Sequence, residues 1–213
     1  EVQPLQTRVA LVENGVLAEY YVERPGRERL AGNIYKGRVA NVLPGMEAAF
    51  VDIGLERNAF LYAGDVALNP EEFEFEGSKS SPVGASRPSI RELVRAGQEL
   101  MVQVTKDPAG SKGARITTHV TLPGRLLVLM PTVDYVGVSR RIEDENLRAE
   151  LKAKIESLRP HGMGIIVRTV AAEASQEEMA EEIASLLEIW DQIQHELHRT
   201  TAPACLYRDS DLL

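Results

Sequence analysis

The feature that most constrains the fold is a series of short strand-like segments between residues 34 and 62. Three segments have this character: Ile34–Leu43, Met46–Ile53 and Ala59–Tyr62. Gly45 and Gly54 lie between them and favour turns or bulges. Short strands joined by glycine turns are typical of a small β-barrel.

Two later segments extend the barrel. Glu99–Lys106 and Ala114–Thr121 alternate apolar and polar residues, and this period of two predicts half-buried strands. The loop between them, residues 107–113, is rich in turn-forming residues and carries Lys112. We therefore expect a barrel of five strands that closes with these two.

The segments before and between these strands are simpler to interpret. Arg8–Glu13 and Val16–Val22 are apolar runs separated by Asn14-Gly15, which predicts a hairpin. Residues 69–88 are rich in Pro, Ser and Gly and predict an exposed loop. A short helix is expected over Ser89–Arg95.

After Pro123-Gly124 the pattern becomes strand, helix, strand, helix. The predicted elements are a strand at Leu126–Met130, a loop, a helix at Asp144–Leu158, a strand at Gly164–Val170 and a long helix that begins at the capping box Ser175-Gln176-Glu177-Glu178. The long helix has an apolar stripe formed by Met179, Ile183, Leu186, Leu187, Trp190, Ile193 and Leu197. A small α/β unit beside the barrel makes the fold class α+β.

Composition narrows the class of protein. The chain has 213 residues, of which 44% are hydrophobic, and no apolar run approaches the ~20 residues of a membrane helix. We therefore expect no transmembrane segment and a cytoplasmic location. Its single cysteine, Cys205, has no partner for a disulfide or a zinc site, and no metal-ligand motif is present.

The net charge of −8 is unusual for a nucleic-acid-binding protein, but the charge is unevenly distributed. Residues 173–199 hold eight acidic residues against one basic residue, so the rest of the chain sums to −1. The carboxylates of this helix, such as Glu181 and Glu182, are expected to lie on its polar face and to be solvated. Because the rest of the chain is nearly neutral, it can still form a local basic surface.

Two of the four phenylalanines, Phe50 and Phe60, lie in the barrel segment. An aromatic residue on a strand is most often part of the core, but exposed rings beside basic residues can stack on the bases of a single-stranded nucleic acid. The basic residues that could follow the phosphate backbone are Lys36, Arg38, Lys106 and Lys112.

A second candidate site is Arg168-Thr169 at the end of a predicted strand. A guanidinium, a hydroxyl and nearby backbone amides can together bind a terminal phosphate. Gly124 and Val128 lie in a neighbouring apolar segment, and Arg140-Arg141 adds two further donors. An ordinary surface location for these residues remains open at this point.

The order of several motifs resembles the N-terminal half of bacterial ribonucleases of the E/G family. The matching stretches are Asn33-Ile34-Tyr35-Lys36-Gly37, Glu47-Ala48-Ala49-Phe50-Val51-Asp52, Phe60-Leu61, Arg87-Pro88-Ser89-Ile90, Gly97-Gln98-Glu99, Lys112-Gly113-Ala114, Leu127-Val128-Leu129-Met130-Pro131, Ser139-Arg140-Arg141-Ile142 and Gly162-Met163-Gly164-Ile165-Ile166-Val167-Arg168-Thr169. They span nearly the whole chain in the family's order.

The resemblance implies four regions. Residues 1–29 would be a partial ribonuclease-H-like hairpin, 30–121 an OB-type RNA-binding barrel of the S-one type, 122–199 a sensor of RNA 5′-monophosphate, and 200–213 the start of the returning ribonuclease-H-like segment. Phe50 and Phe60, with Lys36 and Lys112, would hold the single strand. Arg168 and Thr169, with Gly124 and Val128, would bind the 5′-phosphate.

The resemblance also implies what this chain does not supply. The family's magnesium-binding aspartates and zinc-linking cysteines lie beyond the region represented here, so we expect no catalytic or metal residue in it. We also expect Mg²⁺, Zn²⁺ in some members, and homo-oligomerisation only in a longer parent enzyme.

The leading hypothesis is thus the RNA-binding and 5′-sensing portion of an endoribonuclease that acts in rRNA processing and mRNA decay. A natural non-catalytic RNA-binding adaptor is the alternative, and an independent hydrolase is the least supported.

Overall fold

The computed structural model describes the backbone of residues 7–13, 16–23, 29–66 and 88–209, and side chains in the last two of these ranges. The strands are β1 (Thr7–Glu13), β2 (Val16–Glu23), β3 (Ile34–Leu43), β4 (Ala48–Asp52), β5 (Ala59–Tyr62), β6 (Glu99–Lys106), β7 (Arg115–Thr117), β8 (Leu122–Pro123), β9 (Leu127–Met130), β10 (Val136–Val138), β11 (Gly164–Val167) and β12 (Ala204–Tyr207). The helices are α1 (Ile90–Leu93), α2 (Glu145–Leu158) and α3 (Gln176–Arg199).

The first two strands form the predicted hairpin. They pair antiparallel from Thr7 opposite Glu23 to Glu13 opposite Val16. The turn residues Asn14-Gly15 and most of the predicted loop at 69–88 lie outside the described residues.

Strands β3 to β7 form a closed five-stranded barrel. Their order is β3-β4-β5-β7-β6, and the barrel closes because β3 pairs with β4 at one edge and with β6 at the other. All these pairs are antiparallel except β5 with β7, which is parallel. The α+β fold with an OB-type barrel is therefore confirmed.

The barrel core follows the predicted alternation. Ala49, Val51, Leu61, Val104 and Ile116 are each no more than 2% exposed, and they point inward from four adjacent strands. Burial of such apolar side chains is the main favourable term in folding. Residues that alternate with them, such as Phe50, consequently face out of the barrel.

The second unit packs two helices against a four-stranded sheet of order β10-β11-β9-β8. Asp144 caps α2 by accepting hydrogen bonds from the amides of Asn146 and Leu147. Ser175 and Glu178 form the predicted capping box of α3. The predicted stripe of α3 faces the core, with Met179 fully buried and Trp190 8% exposed.

Several features differ from the sequence prediction. The predicted strand Gly164–Val170 ends at Val167, because Thr169–Glu173 form a short 3₁₀ helix, and the predicted strand Ala114–Thr121 is shortened to β7, with the separate strand β8 after it. Part of the predicted loop between Met130 and Asp144 is strand β10, which pairs parallel with β11; three residues are too few to show a strand period. Strand β12, from the segment expected to return to a ribonuclease-H-like domain, pairs with Ile34–Lys36 of β3 and so extends the barrel sheet. The domain boundaries themselves stay predictions.

Polar side chains lie where the two units meet: Gln103 binds the segment just before β8, and Lys36 binds the end of α3. Gln103, 5% exposed, donates through Nε2 to the carbonyls of Gly32 and Thr121 and accepts from the Thr121 amide. Lys36 reaches from the barrel to the carbonyls of Leu197 and Thr200 at the end of α3, at 3.0 and 2.9 Å. The barrel and the α/β unit therefore contact each other through satisfied polar groups as well as apolar ones.

Candidate nucleic-acid interface

Phe50 and Phe60 form an aromatic pair on the outside of the barrel. They lie directly opposite each other on β4 and β5, and their ring centroids are 6.0 Å apart at an interplanar angle of 68°. Their strand neighbours point into the core, so both rings face outward and stay partly exposed. This edge-to-face arrangement leaves ring surface on which a base can stack.

The two rings belong to a row that crosses all five strands. The strand registers place Asn41 beside Phe50, Phe60 beside Arg115, and Arg115 beside Lys106. Because laterally paired residues share a face of a sheet, the row Asn41, Phe50, Phe60, Arg115 and Lys106 lies on one outer surface. The structure thus places Lys106, which the sequence predicted to bind RNA, in the same row as the aromatic pair and separated from Phe60 by Arg115.

Sequence reasoning did not select Asn41 or Arg115. Arg115 is held by Asp65, with Nε to Oδ2 at 3.0 Å and Nη2 to Oδ1 at 3.2 Å. The two-residue alternation in residues 114–117 predicts that Arg115 faces outward, so the signal was present.

Lys112 lies in the loop that runs beside β5. At Gly113, an added Cβ would lie 2.1 Å from the carbonyl oxygen of Asn58, and the amide of Phe60 donates to the carbonyl of Ala114 at 2.7 Å. Arg57 Nη1 also donates to the carbonyl of Gly110. Gly113 and Ala114, which directly follow the exposed Lys112, therefore lie against the backbone of residues 58–60.

Lys36 has a different environment from Lys106 and Lys112, the other two lysines predicted to bind RNA, which are exposed. Besides its bonds to the end of α3, its Nζ lies 3.3 Å from Glu99, and its side chain is only 16% exposed. Arg38 pairs with the same carboxylate at 2.8 Å. The hydrogen bond from Lys36, with help from Arg38, holds the pKa of Glu99 below its ordinary value despite an opposing effect of desolvation. Contact of Lys36 with RNA stays a prediction.

The second candidate site is a cavity of about 710 Å³ at the ends of β10 and β11. Five of the predicted residues line it: Val128, Arg140, Arg141, Arg168 and Thr169. The sixth, Gly124, borders the site because its carbonyl accepts a hydrogen bond from Arg168 Nη1 at 2.6 Å.

Hydrogen bonds fix the rim of this cavity. Ser139 Oγ and Thr169 Oγ1 are 3.1 Å apart, and the Ser139 amide donates to the Val167 carbonyl at 2.8 Å. Arg148 Nη1 donates to the carbonyls of Ser139 and Ile142. The segment that carries Arg140 and Arg141 is therefore anchored at both of its ends.

The charges of the lining residues strongly favour an anion. The lining contains five cationic side chains, from Arg140, Arg141, Arg148, Lys152 and Arg168, and one acidic side chain, from Glu145. A guanidinium carries five N–H donors, so Arg168 keeps most of its donors after bonding to Gly124. The arrangement can bind a phosphate with two or more charges.

Arg148 and Lys152 were also absent from the sequence prediction. Together with Glu145 and Ala149 they follow the three- and four-residue spacing of one face of α2. That spacing could have indicated a common face, but not that this face lines a cavity beside β11.

Two kinds of feature are absent from the described residues: a cluster of metal-ligand side chains and a membrane-spanning helix. Within residues 29–66 and 88–209, no three His, Cys, Asp or Glu side chains converge to hold an ion. In the same part of the chain, no helix is long and apolar enough to cross a bilayer.

Comparison with known proteins agrees with the sequence resemblance. The model of the ribonuclease E/G family matches residues 121–213. Ribonuclease G of Haemophilus influenzae is 49% identical over 192 residues, which is 90% of this chain and 38% of that protein. Ribonuclease G of Escherichia coli is 47% identical over 206 residues, which is 97% of this chain and 41% of that protein.

Ribonuclease E of Haemophilus influenzae is 41% identical over 215 residues, covering 99% of this chain and 22% of that protein. The chain therefore spans about two fifths of the length of its ribonuclease G relatives.

Proposed function

Because this chain belongs to the ribonuclease E/G family, we propose that it binds single-stranded RNA and recognises its 5′-monophosphate end for an RNA-processing endoribonuclease. The observation that carries this proposal is the cavity that brings Arg168 and Thr169 together with four further cations. The aromatic row of the barrel supplies a second, chemically different surface for the same strand.

The barrel surface suits the interior of an RNA strand. Each base stacked on an aromatic side chain contributes about 1–3 kcal/mol, and stacking accepts any base. Phe50 and Phe60 supply the rings, while Lys106 in the same row and Lys112 in the adjacent loop can contact phosphates.

The cavity suits the end of the strand. A terminal phosphate monoester carries a charge of about −1.5 to −2 at neutral pH, whereas a 5′-hydroxyl end carries none. Arg168 and Thr169 would bind the terminal phosphate, with Gly124 and Val128 bordering it. Arg140 and Arg141 would contact the nucleotides that follow, and a triphosphate would be disfavoured by fit.

We propose that the cleavage itself is carried out by a region of the ribonuclease G relatives that this chain does not match. There we expect Mg²⁺ to activate the attacking water. We also expect the longer parent enzyme to form homo-oligomers. In this scheme the residues described here select and position the RNA.

Two variants test the proposal, with one oligonucleotide prepared with either a 5′-monophosphate or a 5′-hydroxyl. We expect Arg168→Ala to weaken binding of the monophosphate form by about tenfold, the order of one charge-assisted hydrogen bond, and to leave the hydroxyl form nearly unchanged. Phe50→Ala should weaken both forms equally. Fluorescence anisotropy measures each affinity.

Arg199→Ala is the matched control for this experiment. Arg199 is an exposed arginine at the far end of α3 from the cavity, and its side chain is 67% exposed. We expect this variant to bind both RNA forms like the unmodified chain. Equal losses of both forms in Arg168→Ala would remove the sensor assignment.

A further inference from the structure

Glu182 departs from the solvated surface role expected for the carboxylates of α3. Its carboxylate accepts hydrogen bonds from three consecutive backbone amides in the loop between β8 and β9. The distances are 2.7 Å from the Arg125 amide, 2.8 Å from the Leu126 amide and 2.8 Å from the Leu127 amide. Successive amides that converge in this way form an anion-binding concavity, which here is filled by a side chain of the protein itself.

Gly124 allows this close approach. A Cβ at this position would lie 2.7 Å from Glu182 Cδ and 2.9 and 3.0 Å from the carboxylate oxygens. Real Cβ atoms do not come this close to other atoms, so an alanine would displace the carboxylate or the loop. The observed position of the Glu182 carboxylate against the loop therefore depends on glycine at position 124.

The same loop holds Arg168 at two points. The Arg168 amide donates to the Leu126 carbonyl at 2.8 Å, and its guanidinium donates to the Gly124 carbonyl at 2.6 Å. Glu182 thus connects to Arg168 through the backbone of Gly124–Leu127 and not through a hydrogen bond between the two side chains.

We propose that Glu182 is a positioning residue of the 5′-phosphate site: its carboxylate fixes the Gly124–Leu127 loop, and the loop fixes the orientation of Arg168. This inference rests on the proposed function of Arg168. Without the carboxylate, three amides lose their acceptor, the loop rearranges, and the guanidinium loses its fixed carbonyl partner. Recognition of the phosphate weakens, while stacking on the barrel does not change.

Glu182→Gln tests the proposal, and Glu181→Gln is its matched control. Both substitutions remove one negative charge from the same turn of α3, but Glu181 is exposed, whereas the loop amides donate to Glu182. Glu182→Gln also replaces one acceptor oxygen with an NH2 donor, which cannot accept from these amides. We expect Glu182→Gln to lower affinity for 5′-monophosphate RNA by about tenfold and to leave 5′-hydroxyl RNA unaffected. Glu181→Gln should change neither affinity.

The outcomes separate this inference from the proposed function. If Arg168→Ala loses the preference for 5′-monophosphate and Glu182→Gln keeps it, the positioning role is wrong while the sensor stands. If Arg168→Ala also keeps the preference, the proposed function fails. Loss of both affinities in Glu182→Gln would show that the carboxylate supports the fold in general, which also overturns the proposal.

A double-mutant comparison provides a second readout. Gly124→Ala should by itself reduce the preference for 5′-monophosphate, because the added methyl group displaces the carboxylate. In a Glu182→Ala background the nearest atoms to that methyl group are absent, so Gly124→Ala should have little further effect. Fully additive losses would contradict the proposed coupling between Glu182 and the loop.

Discussion

The barrel surface and the α/β cavity are built differently, and in the proposed function they bind different parts of an RNA strand by different physical means. The barrel surface is a regular row of side chains on five strands, in which the basic residue beside Phe60, Arg115, is paired with Asp65. The cavity instead collects five cations and one acid from strand ends, a loop and α2. A surface for base stacking can be built from side chains at regular positions on neighbouring strands. A site for a terminal phosphate instead needs cations from distant segments of the chain to meet around one cavity.

The largest effect is expected at the loop that borders the aromatic strand. In Gly113→Ala the new Cβ would lie 2.1 Å from the Asn58 carbonyl oxygen, which belongs to the backbone. We expect the loop to move away from β5, at a cost of about 1–3 kcal/mol in the free energy of unfolding. Affinity for 5′-monophosphate and 5′-hydroxyl RNA should fall by the same factor, as measured by thermal unfolding and fluorescence anisotropy.

Gly45→Ala provides the control for this substitution. Gly45 has no heavy atom within 4 Å of an added Cβ and no positive φ, so we expect stability and affinity to remain unchanged. A Gly113→Ala protein that lost only its preference for the 5′-monophosphate would show that the two surfaces are not separate.

The barrel was far more predictable from sequence than the cavity. The bounds of β3, β5 and β6 match the predicted segments because two-residue alternation and flanking glycines are local signals. The inner and outer faces of these strands follow from the same alternation. The outward position of Phe50 and Phe60 is therefore a consequence of local pattern and barrel closure.

The cavity depends on tertiary contacts that have no local signal. Lys152 lies on an ordinary polar helix face, and only the packing of α2 beside β10 and β11 brings it to Arg168. Glu182 looked like one of many solvated carboxylates, and only the approach of the Gly124–Leu127 loop shows what it binds. Neither Lys152 nor Glu182 followed from the sequence pattern or from the family resemblance, so both could be assigned only from the structure.

The next largest effect concerns the lysine that joins the two regions. Lys36→Met keeps the apolar stem but removes the ammonium that bonds to the carbonyls of Leu197 and Thr200. We expect a loss of about 1.5 kcal/mol in the free energy of unfolding, which is the low end of the range for a hydrogen bond to a charged group. Lys112→Met is the matched control, because Lys112 is exposed: it should reduce RNA affinity and leave stability unchanged.

The pH dependence gives a second measure of the Lys36 contact. The folded-state pKa of Glu99 is lowered chiefly by its hydrogen bond from Lys36. The stability contributed by this pair is therefore present above about pH 4.5, the ordinary pKa of a glutamate, and is lost as the pH falls through the lowered pKa. The deficit of Lys36→Met should be largest near neutral pH and should shrink on acidification. A deficit that is independent of pH would assign the whole effect to the bonds with α3.

The smallest effect is a change in salt dependence, and it distinguishes the two surfaces most directly. Binding that neutralises phosphates releases counterions, so the logarithm of the association constant falls with the logarithm of salt concentration, by about 0.7 per phosphate contact on a single strand. We expect Arg141→Ala, which removes a cation of the cavity, to reduce this slope by about 0.7. Phe50→Ala should lower affinity at every salt concentration without changing the slope, because stacking releases no counterions. A steeper or flatter slope in Phe50→Ala would show that the aromatic row acts by orienting nearby cations and not by stacking alone.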